Sequence, residues 1–417
     1  MFNFHHNAKK VKPFYNPPTL LAKQALTALY FGTLIQWRKL PHWLLKGDKT
    51  LHIAAGAIGM GCIGFPIHPV WEVTAACNLR CRHCHASGGK PAKGELTTEE
   101  GKKLLKNITS VKEFRMVVFT GGEPMIRPDI FELVEYASSL GLEVAIATNG
   151  TLITSEVARR LKRIGVCDLA IGIDAAEAQL HDFIRSSPGC FDRTMRGIYA
   201  TKEAGIGLQL NITVMKYNCH EVPRLLDLAD KLDAEIVLLY QMVPQGRGSK
   251  NGLEISVEEY ADLMKLVSER QKDCNPIIEP TCAPQYFSYL VSKNSGYLGK
   301  KLAPHFFKGC TAGRGLCYVK SDGEVWACPF IPVSAGNVRG ISLAEIWNSS
   351  PLFQSLRDRG NLKGKCGACS YKNICGGCRG RAYAHSSDYF AEDPLCLVFQ
   401  RSLSIKLSIS HMASYIC

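Results

Sequence analysis

From Trp71 to Tyr240, short β-rich runs alternate with amphipathic helical runs, and that alternation leaves few folds open. Strands are expected at 71–75, 115–119, 142–147, 168–173, 208–214 and 234–240. Between them, apolar residues recur at helical spacing over 98–107, 128–139, 156–164, 192–204 and 222–232. Thr97-Thr98-Glu99-Glu100 gives the first of these helices a capping-box start. Strands separated by such helices pair in parallel through right-handed crossovers. The α/β sheet so formed is either curved into a partial (β/α)6, TIM-like barrel or doubly wound, and in both the strand C-terminal ends carry the chemistry. A further helix at 257–272 leads to a Pro- and Cys-containing connector near 275–284, and beyond Pro304 the cysteine density rises. The expected organisation is an N-terminal extension (1–70), a barrel (71–285), a small cysteine-rich C-terminal domain (303–400) and a tail (401–417).

The 417 residues have a near-average apolar and charged content, which disfavours disorder and a multi-span membrane protein. The formal charge of +13 is unevenly spread: residues 1–70 hold eight Lys or Arg against the single acid Asp48. This reads as an attached basic segment, so no nucleic-acid partner is expected. Lys23 and Gln24 interrupt the apolar stretch at 20–37, and glycines with Pro66 interrupt the one at 53–70, so neither spans a membrane convincingly. The first stretch is read as a helix packed on the body. The alternative is a peripheral contact with an anionic membrane surface, Trp37 and Trp43 lying at the interface.

Eighteen cysteines and no secretory signal pattern point to a reducing, cytoplasmic setting, in which closely spaced thiols are metal ligands rather than disulfides. Cys77-Asn-Leu-Arg-Cys81-Arg-His-Cys84 puts three thiols just after the first strand. Such a loop can hold three corners of an iron-sulfur cubane and leave one iron open for an exogenous ligand. A zinc knuckle completed by His83 or His85 is the alternative.

The C-x3-C-x2-C spacing resembles the radical S-adenosylmethionine (SAM) superfamily. That resemblance implies a 4Fe-4S cluster on Cys77, Cys81 and Cys84 whose open iron chelates SAM. It also implies that Gly121, Gly122, Glu123 and Pro124, after the second strand, hold the SAM amino group. Asn149 and Asp174, ending the third and fourth strands, are candidate SAM contacts, with a simple turn and a helix cap as their plainer roles. Arg247, after the sixth strand, is read as a partner for SAM or a substrate carboxylate, or as a loop residue. A low-potential electron donor such as ferredoxin or flavodoxin is implied as a partner.

Cys310, Cys317, Cys328, Cys366, Cys369, Cys375, Cys378 and Cys396 are enough for two fully ligated 4Fe-4S clusters, although the two C-x2-C pairs could instead form a zinc ribbon. The region resembles the SPASM extension of radical SAM enzymes. By that resemblance Cys310, Cys317, Cys328 and Cys378 hold an inner auxiliary cluster, and Cys366, Cys369, Cys375 and Cys396 an outer one. The gap in Cys375-Gly-Gly-Cys378 departs from the usual three residues, which leaves the partition open. Arg379, Arg381 and Tyr383 read as scaffold. Cys62, Cys167, Cys190, Cys219, Cys274, Cys282 and Cys417 read as buried small hydrophobes.

Residues 336–347, 350–353 and 381–396 look most like radical SAM enzymes of alternative haem and haem d1 synthesis. This implies tetrapyrrole side-chain modification, such as oxidative decarboxylation of propionates, with Arg185 or Arg247 suited to the carboxylates. Maturation of a ribosomal peptide or protein side chain is the rival enzymatic reading. A non-catalytic iron-sulfur or zinc protein is the rival of another class.

Overall fold

The computed structural model describes residues 68–250 and 252–397, with isolated positions between 26 and 36. Seven parallel strands follow one another across the sheet: β1 (His68–Thr74), β2 (Met116–Gly121), β3 (Glu143–Thr148), β4 (Val166–Gly172), β5 (Gly207–Val214), β6 (Ile236–Gln241) and β7 (Ile277–Thr281). Because spatial order equals chain order, every crossover advances in the same sense, which is barrel-like; a doubly wound sheet would reverse. The helices between them are α1 (Thr98–Thr109), α2 (Ile130–Ser139), α3 (Ser155–Arg163), α4 (Ala178–Arg185), α5 (Cys190–Glu203), α6 (Val222–Lys231) and α7 (Val257–Arg270). The six expected strands are all present.

Within the parallel sheet and its crossovers, two elements were not expected. The connector near 275–284 contains β7, whose Pro280 is tolerated because β7 ends the sheet. The short helix α4 fills the crossover from β4 to α5 and delivers His181 and Arg185 to the interior.

After α8 (Gln285–Asn294) and α9 (Tyr297–Phe306), the chain returns to the opposite edge of the same sheet. There β8 (Leu316–Val319) pairs in parallel with β1, and β9 (Glu324–Trp326) and β10 (Ser334–Asn337) continue antiparallel. Glu72 on β1 is buried and accepts from the Tyr318 hydroxyl at 2.7 Å and the Ser321 hydroxyl at 3.0 Å. The cysteine-rich unit therefore grows from the barrel's first strand. It ends in α10 (Leu343–Ser349), α11 (Pro351–Arg357), α12 (Gly364–Ala368) and α13 (Arg379–Ser386).

The core lies between sheet and helices, with Trp71, Phe114, Phe119 and Phe353 fully buried. Thr97 caps α1 as expected, completing its capping box with Glu100, which also pairs with Arg339 at 2.6 Å. Most of 1–70 and all of 401–417 fall outside the described residues. The described N-terminal positions dock on the body: the Tyr30 hydroxyl donates to the Gly299 carbonyl at 2.7 Å, and Leu34 is buried.

Candidate active site

All seven parallel strands present their C-terminal ends to one rim, and the loops that gather there line a cavity of about 390 Å³. Its walls are mainly apolar, drawn from inward-facing residues such as Val118, Ala145, Ala170 and Ile236. Cys77, Cys81 and Cys84 line it, and Cys310, Cys328 and Cys378 line the same space from the C-terminal unit.

The Cys77–Cys84 loop is held from several directions. Arg247 donates from Nε to the Cys81 carbonyl at 3.0 Å and from Nη1 to the Gly88 carbonyl at 3.0 Å, while its own backbone N–H donates to the Cys84 carbonyl. Arg82 donates to the Phe183 carbonyl at 2.9 Å and lies over the Phe183 ring. On the inner side Arg185 pairs through Nε with Asp174 at 2.7 Å and comes within 4.0 Å of the Cys81 sulfur. The two guanidiniums suggested for substrate carboxylates are thus engaged in positioning the thiol loop.

Asp174 is fully buried, accepts from the Thr213 N–H at 3.0 Å and lies 3.6 Å from His83 Nε2. Burial pushes its carboxyl up, but Arg185, His83 and His181 together outweigh that and hold it below its ordinary value. Asp174 is therefore an anionic anchor behind the loop, outside the cavity lining.

Gly121 and Gly122 allow the turn after β2 to press against the start of the thiol loop. A Cβ on Gly122 would stand 2.2 Å from the Ala76 carbonyl oxygen. The Gly122 N–H donates to the Thr74 carbonyl and the Glu123 N–H to the Ala76 carbonyl, both at 2.8 Å. Glu123 is buried, and its carboxylate accepts from the Thr148 hydroxyl, the Asn149 N–H and the Met125 N–H. Its side chain braces the ends of β2 and β3, with Pro124 buried beside it. Asn149 lines the cavity and donates to the Asn78 side chain at 2.8 Å, tying the third strand to the thiol loop.

The remaining thiols divide between two places. Cys366, Cys369, Cys375 and Cys396 surround a second, small cavity, apart from Cys310, Cys328 and Cys378 on the large one. Gly376 and Gly377 explain the short Cys375–Cys378 gap. Both adopt left-handed backbone, at φ 69° and 63°, and turn the chain so that the flanking thiols face different cavities. Cys317 is not brought to either set: it is fully buried in the apolar core under β8.

Among the described residues no three His, Cys, Asp or Glu side chains converge as a single bound ion requires. The thiols ring cavities, an arrangement suited to a cage with iron at its corners. Backbone N–H groups already point at the sulfurs: Leu79 to Cys77, Phe330 to Cys328, Tyr371 to Cys369, Gly377 to Cys375, Arg381 to Cys378 and Asp393 to Cys366, at 3.3–3.4 Å. N–H donors to sulfur favour thiolates and tune iron-sulfur potentials. Burial pushes the Cys81 thiol up to about 12 despite Arg185, and bound iron reverses that bias. The residues present fit 4Fe-4S clusters.

Sequence reasoning missed Asp168, near the start of β4, and Gln241, at the end of β6, because neither lies in a motif. Both are buried and line the cavity. The Gln241 amide has neither atom hydrogen-bonded, and Asp168 Oδ1 is likewise without a hydrogen-bond partner. Burial, followed by the charges of Glu235 and Glu143, pushes the Asp168 carboxyl up to about 8.

With this geometry in place, the comparisons with known proteins agree. Residues 71–229 match the radical SAM superfamily, and residues 310–378 match the SPASM iron-sulfur cluster-binding domain. An AdoMet-dependent heme synthase of Methanosarcina barkeri is 41% identical over 334 residues, covering 78% of this chain and 95% of the relative. A mycofactocin maturase MftC of Mycobacterium tuberculosis is 32% identical over 349 residues, covering 80% and 83%. The fold matches Streptococcus suis SuiB bound to S-adenosylmethionine with a TM-score of 0.66 at 16% identity, covering 91% of this chain and 89% of SuiB. The chain belongs to the radical SAM superfamily and carries a C-terminal SPASM domain. It is an enzyme of 4Fe-4S and SAM chemistry.

Gly122→Ala must displace the Ala75–Ala76 backbone, and a shift of that kind at a reacting centre costs on the order of a hundredfold in rate. SAM cleavage, measured as 5′-deoxyadenosine, should fall accordingly while auxiliary-cluster iron is retained. Asp168 has a raised folded pKa, so the stability it allows is complete below the unfolded carboxyl pKa and is lost as pH rises to about 8. Asp168→Asn should therefore raise the thermal midpoint relative to the parent chain increasingly between about pH 4 and pH 8; a pH-independent difference would contradict this.

Proposed function

We propose that this enzyme modifies the side chains of an iron-containing or metal-free tetrapyrrole, by oxidative decarboxylation of propionates to vinyl groups. In this reading Cys77, Cys81 and Cys84 hold the SAM-binding cluster, the turn Gly121-Gly122-Glu123-Pro124 with Asn149 borders SAM, and the C-terminal thiols hold two auxiliary clusters. The observation that carries it is one mainly apolar cavity of about 390 Å³, within the size range of small-molecule sites, that both thiol sets line. The heme synthase of M. barkeri and a Fe-coproporphyrin III synthase of the same organism, 32% identical over 359 residues, support the substrate class.

When bound, SAM on the reduced first cluster supplies a 5′-deoxyadenosyl radical and the closed clusters supply one-electron acceptors, reactivity that belongs to the cofactors. The chain contributes position and exclusion. Arg247, Arg185 and Asp174 fix the thiol loop, and Gly122 brings the second strand against it. The apolar walls keep water from a carbon radical. Asp168, neutral below about pH 8, and the Gln241 amide offer polar contacts inside a mainly apolar lumen without adding a charge there. Converting a propionate carboxylate to a vinyl group removes one hydrogen atom, one CO2 and one electron. The hydrogen would be taken up by the radical that bound SAM supplies, and the electron would leave to an acceptor beside the lumen. A low-potential donor such as ferredoxin or flavodoxin supplies the first electron.

The test is anaerobic reconstitution with SAM, dithionite and either iron-coproporphyrin or candidate peptides, followed by mass spectrometry. We expect 5′-deoxyadenosine, and a porphyrin product that has lost CO2 and two hydrogens at each propionate converted. A modified peptide with unchanged porphyrin would replace this reading by that of a maturase. Absence of 5′-deoxyadenosine from fully loaded protein would remove both. Replacing Cys77, Cys81 and Cys84 together by Ala should abolish cleavage.

We also infer a peripheral membrane contact in the cytoplasm. Among the described residues no helix is long and apolar enough to cross a membrane. Yet Leu26, Leu29, Tyr297, Leu298 and Leu302 are exposed where the N-terminal positions dock beside α9, with Lys300 and Lys301 next to them. Apolar side chains rimmed by lysines suit an anionic lipid surface. The protein should sediment with phosphatidylglycerol vesicles, and the double variant Leu298→Glu, Leu302→Glu should not; equal sedimentation of both would remove the contact.

A further inference from the structure

We infer that Cys282, and not Cys317, completes the thiolate set of the inner auxiliary cluster with Cys310, Cys328 and Cys378. This rests on the three-cluster reading above. Cys282 directly follows β7, at the rim where the other strand ends meet, and lines the large cavity with the other three cysteines. Its thiol is hydrogen-bonded to that of Cys378 and lies within electrostatic range of Cys328, which in turn neighbours Cys310 and Cys378. The four sulfurs thus form one connected group on one wall.

The backbone is built to hold them there. Cys282 adopts left-handed conformation at φ 58°, which a non-glycine residue keeps only where its surroundings impose it. Arg381 Nη2 donates to the Cys282 carbonyl at 2.8 Å, and the same guanidinium pairs with Asp393 through Nε at 2.8 Å. Asp393 accepts from the Cys378 N–H at 2.6 Å. One fully buried ion pair therefore sets the position of both Cys282 and Cys378.

Cys317 is excluded by strand parity. On β8 successive side chains point to opposite faces, and Leu316 and Tyr318 both line the cavity. Cys317 must face the other way, into the core, where its charged neighbour is Arg357. A ligand at Cys282 means that the inner cluster would join the last strand of the barrel to the C-terminal unit, on the cavity that Cys77, Cys81 and Cys84 also line.

The test uses the full-length chain, reconstituted anaerobically and examined by iron and sulfide analysis with Mössbauer and EPR spectroscopy. Three clusters predict about twelve iron per chain, and Cys378→Ala should remove one auxiliary signal with up to about four of those iron atoms. Cys282→Ala should reproduce the Cys378→Ala change, while Cys317→Ala should keep the parent's iron and spectra. Cys282→Ser keeps an oxygen donor, so it should retain iron and shift the reduced-state EPR signal of that one centre. Parental spectra in both Cys282 variants, or loss of the auxiliary signal in Cys317→Ala, would overturn the assignment. A parent chain with iron for a single cluster, or a Cys378→Ala spectrum like the parent's, would instead overturn the three-cluster reading on which it rests.

Discussion

Parallel pairing obliges each strand to start at the same end of the sheet, so each return must cross outside it and each strand must discharge its chain at the same rim. Here that constraint assembles the site. The thiol loop leaves β1, the Gly121-Gly122-Glu123-Pro124 turn leaves β2, and Asn149 leaves β3. Asp174 follows β4, Arg247 follows β6 and Cys282 follows β7. These residues are spread over about half the chain, yet no folding of long loops is needed to bring them together. Because β1 pairs with β2 on one side and β8 on the other, the cysteine-rich unit is registered to the same rim through backbone hydrogen bonds.

Within that frame, buried charge sets fine position. Removing one partner of a buried ion pair leaves an uncompensated charge, so such pairs are weak stabilisers but exacting constraints. Arg185 with Asp174 lies behind Cys81, and Arg381 with Asp393 lies beneath Cys282 and Cys378. Each pair is further satisfied by backbone groups: Asp174 takes the Thr213 N–H and Asp393 takes the Leu395 and Cys378 N–H groups. Both pairs sit next to sulfur, where a small displacement would change which atoms iron can reach.

The sequence was most informative where chemistry is periodic or repeated. Strand and helix alternation was legible because each element is longer than one period. The cysteine motif was legible because its three thiols lie within eight residues of one another. β7 was hidden by Pro276 and Pro280, which argue against a strand unless it lies at an edge, and edge position is a tertiary fact. α4 is only eight residues long, too short for its periodicity to stand out. Arg185 and Arg247 were noticed as cations, but what they pair with depends on loops far away in the chain. Cys282 had no spacing to recommend it: its neighbours are distant in sequence, and only the meeting of β7 with the C-terminal unit places it among other thiols.

The arrangement of the thiol sets bears on how an oxidative radical reaction can be kept in order. Hydrogen abstraction consumes an electron delivered to one side of the substrate, and completing a decarboxylation releases an electron from the substrate itself. A separate acceptor lets the released electron leave without depending on the redox state of the centre that reduces SAM. In the proposed reading the two events belong to different thiol sets on one lumen, Cys77, Cys81 and Cys84 for the first and Cys310, Cys328 and Cys378 for the second. The Gly376-Gly377 reversal then turns Cys375 to a further cavity with Cys366, Cys369 and Cys396, which extends the exit away from the substrate. A two-residue gap that departs from the usual spacing is therefore compatible with two separate centres, because paired left-handed glycines achieve the turn that a longer segment would otherwise make.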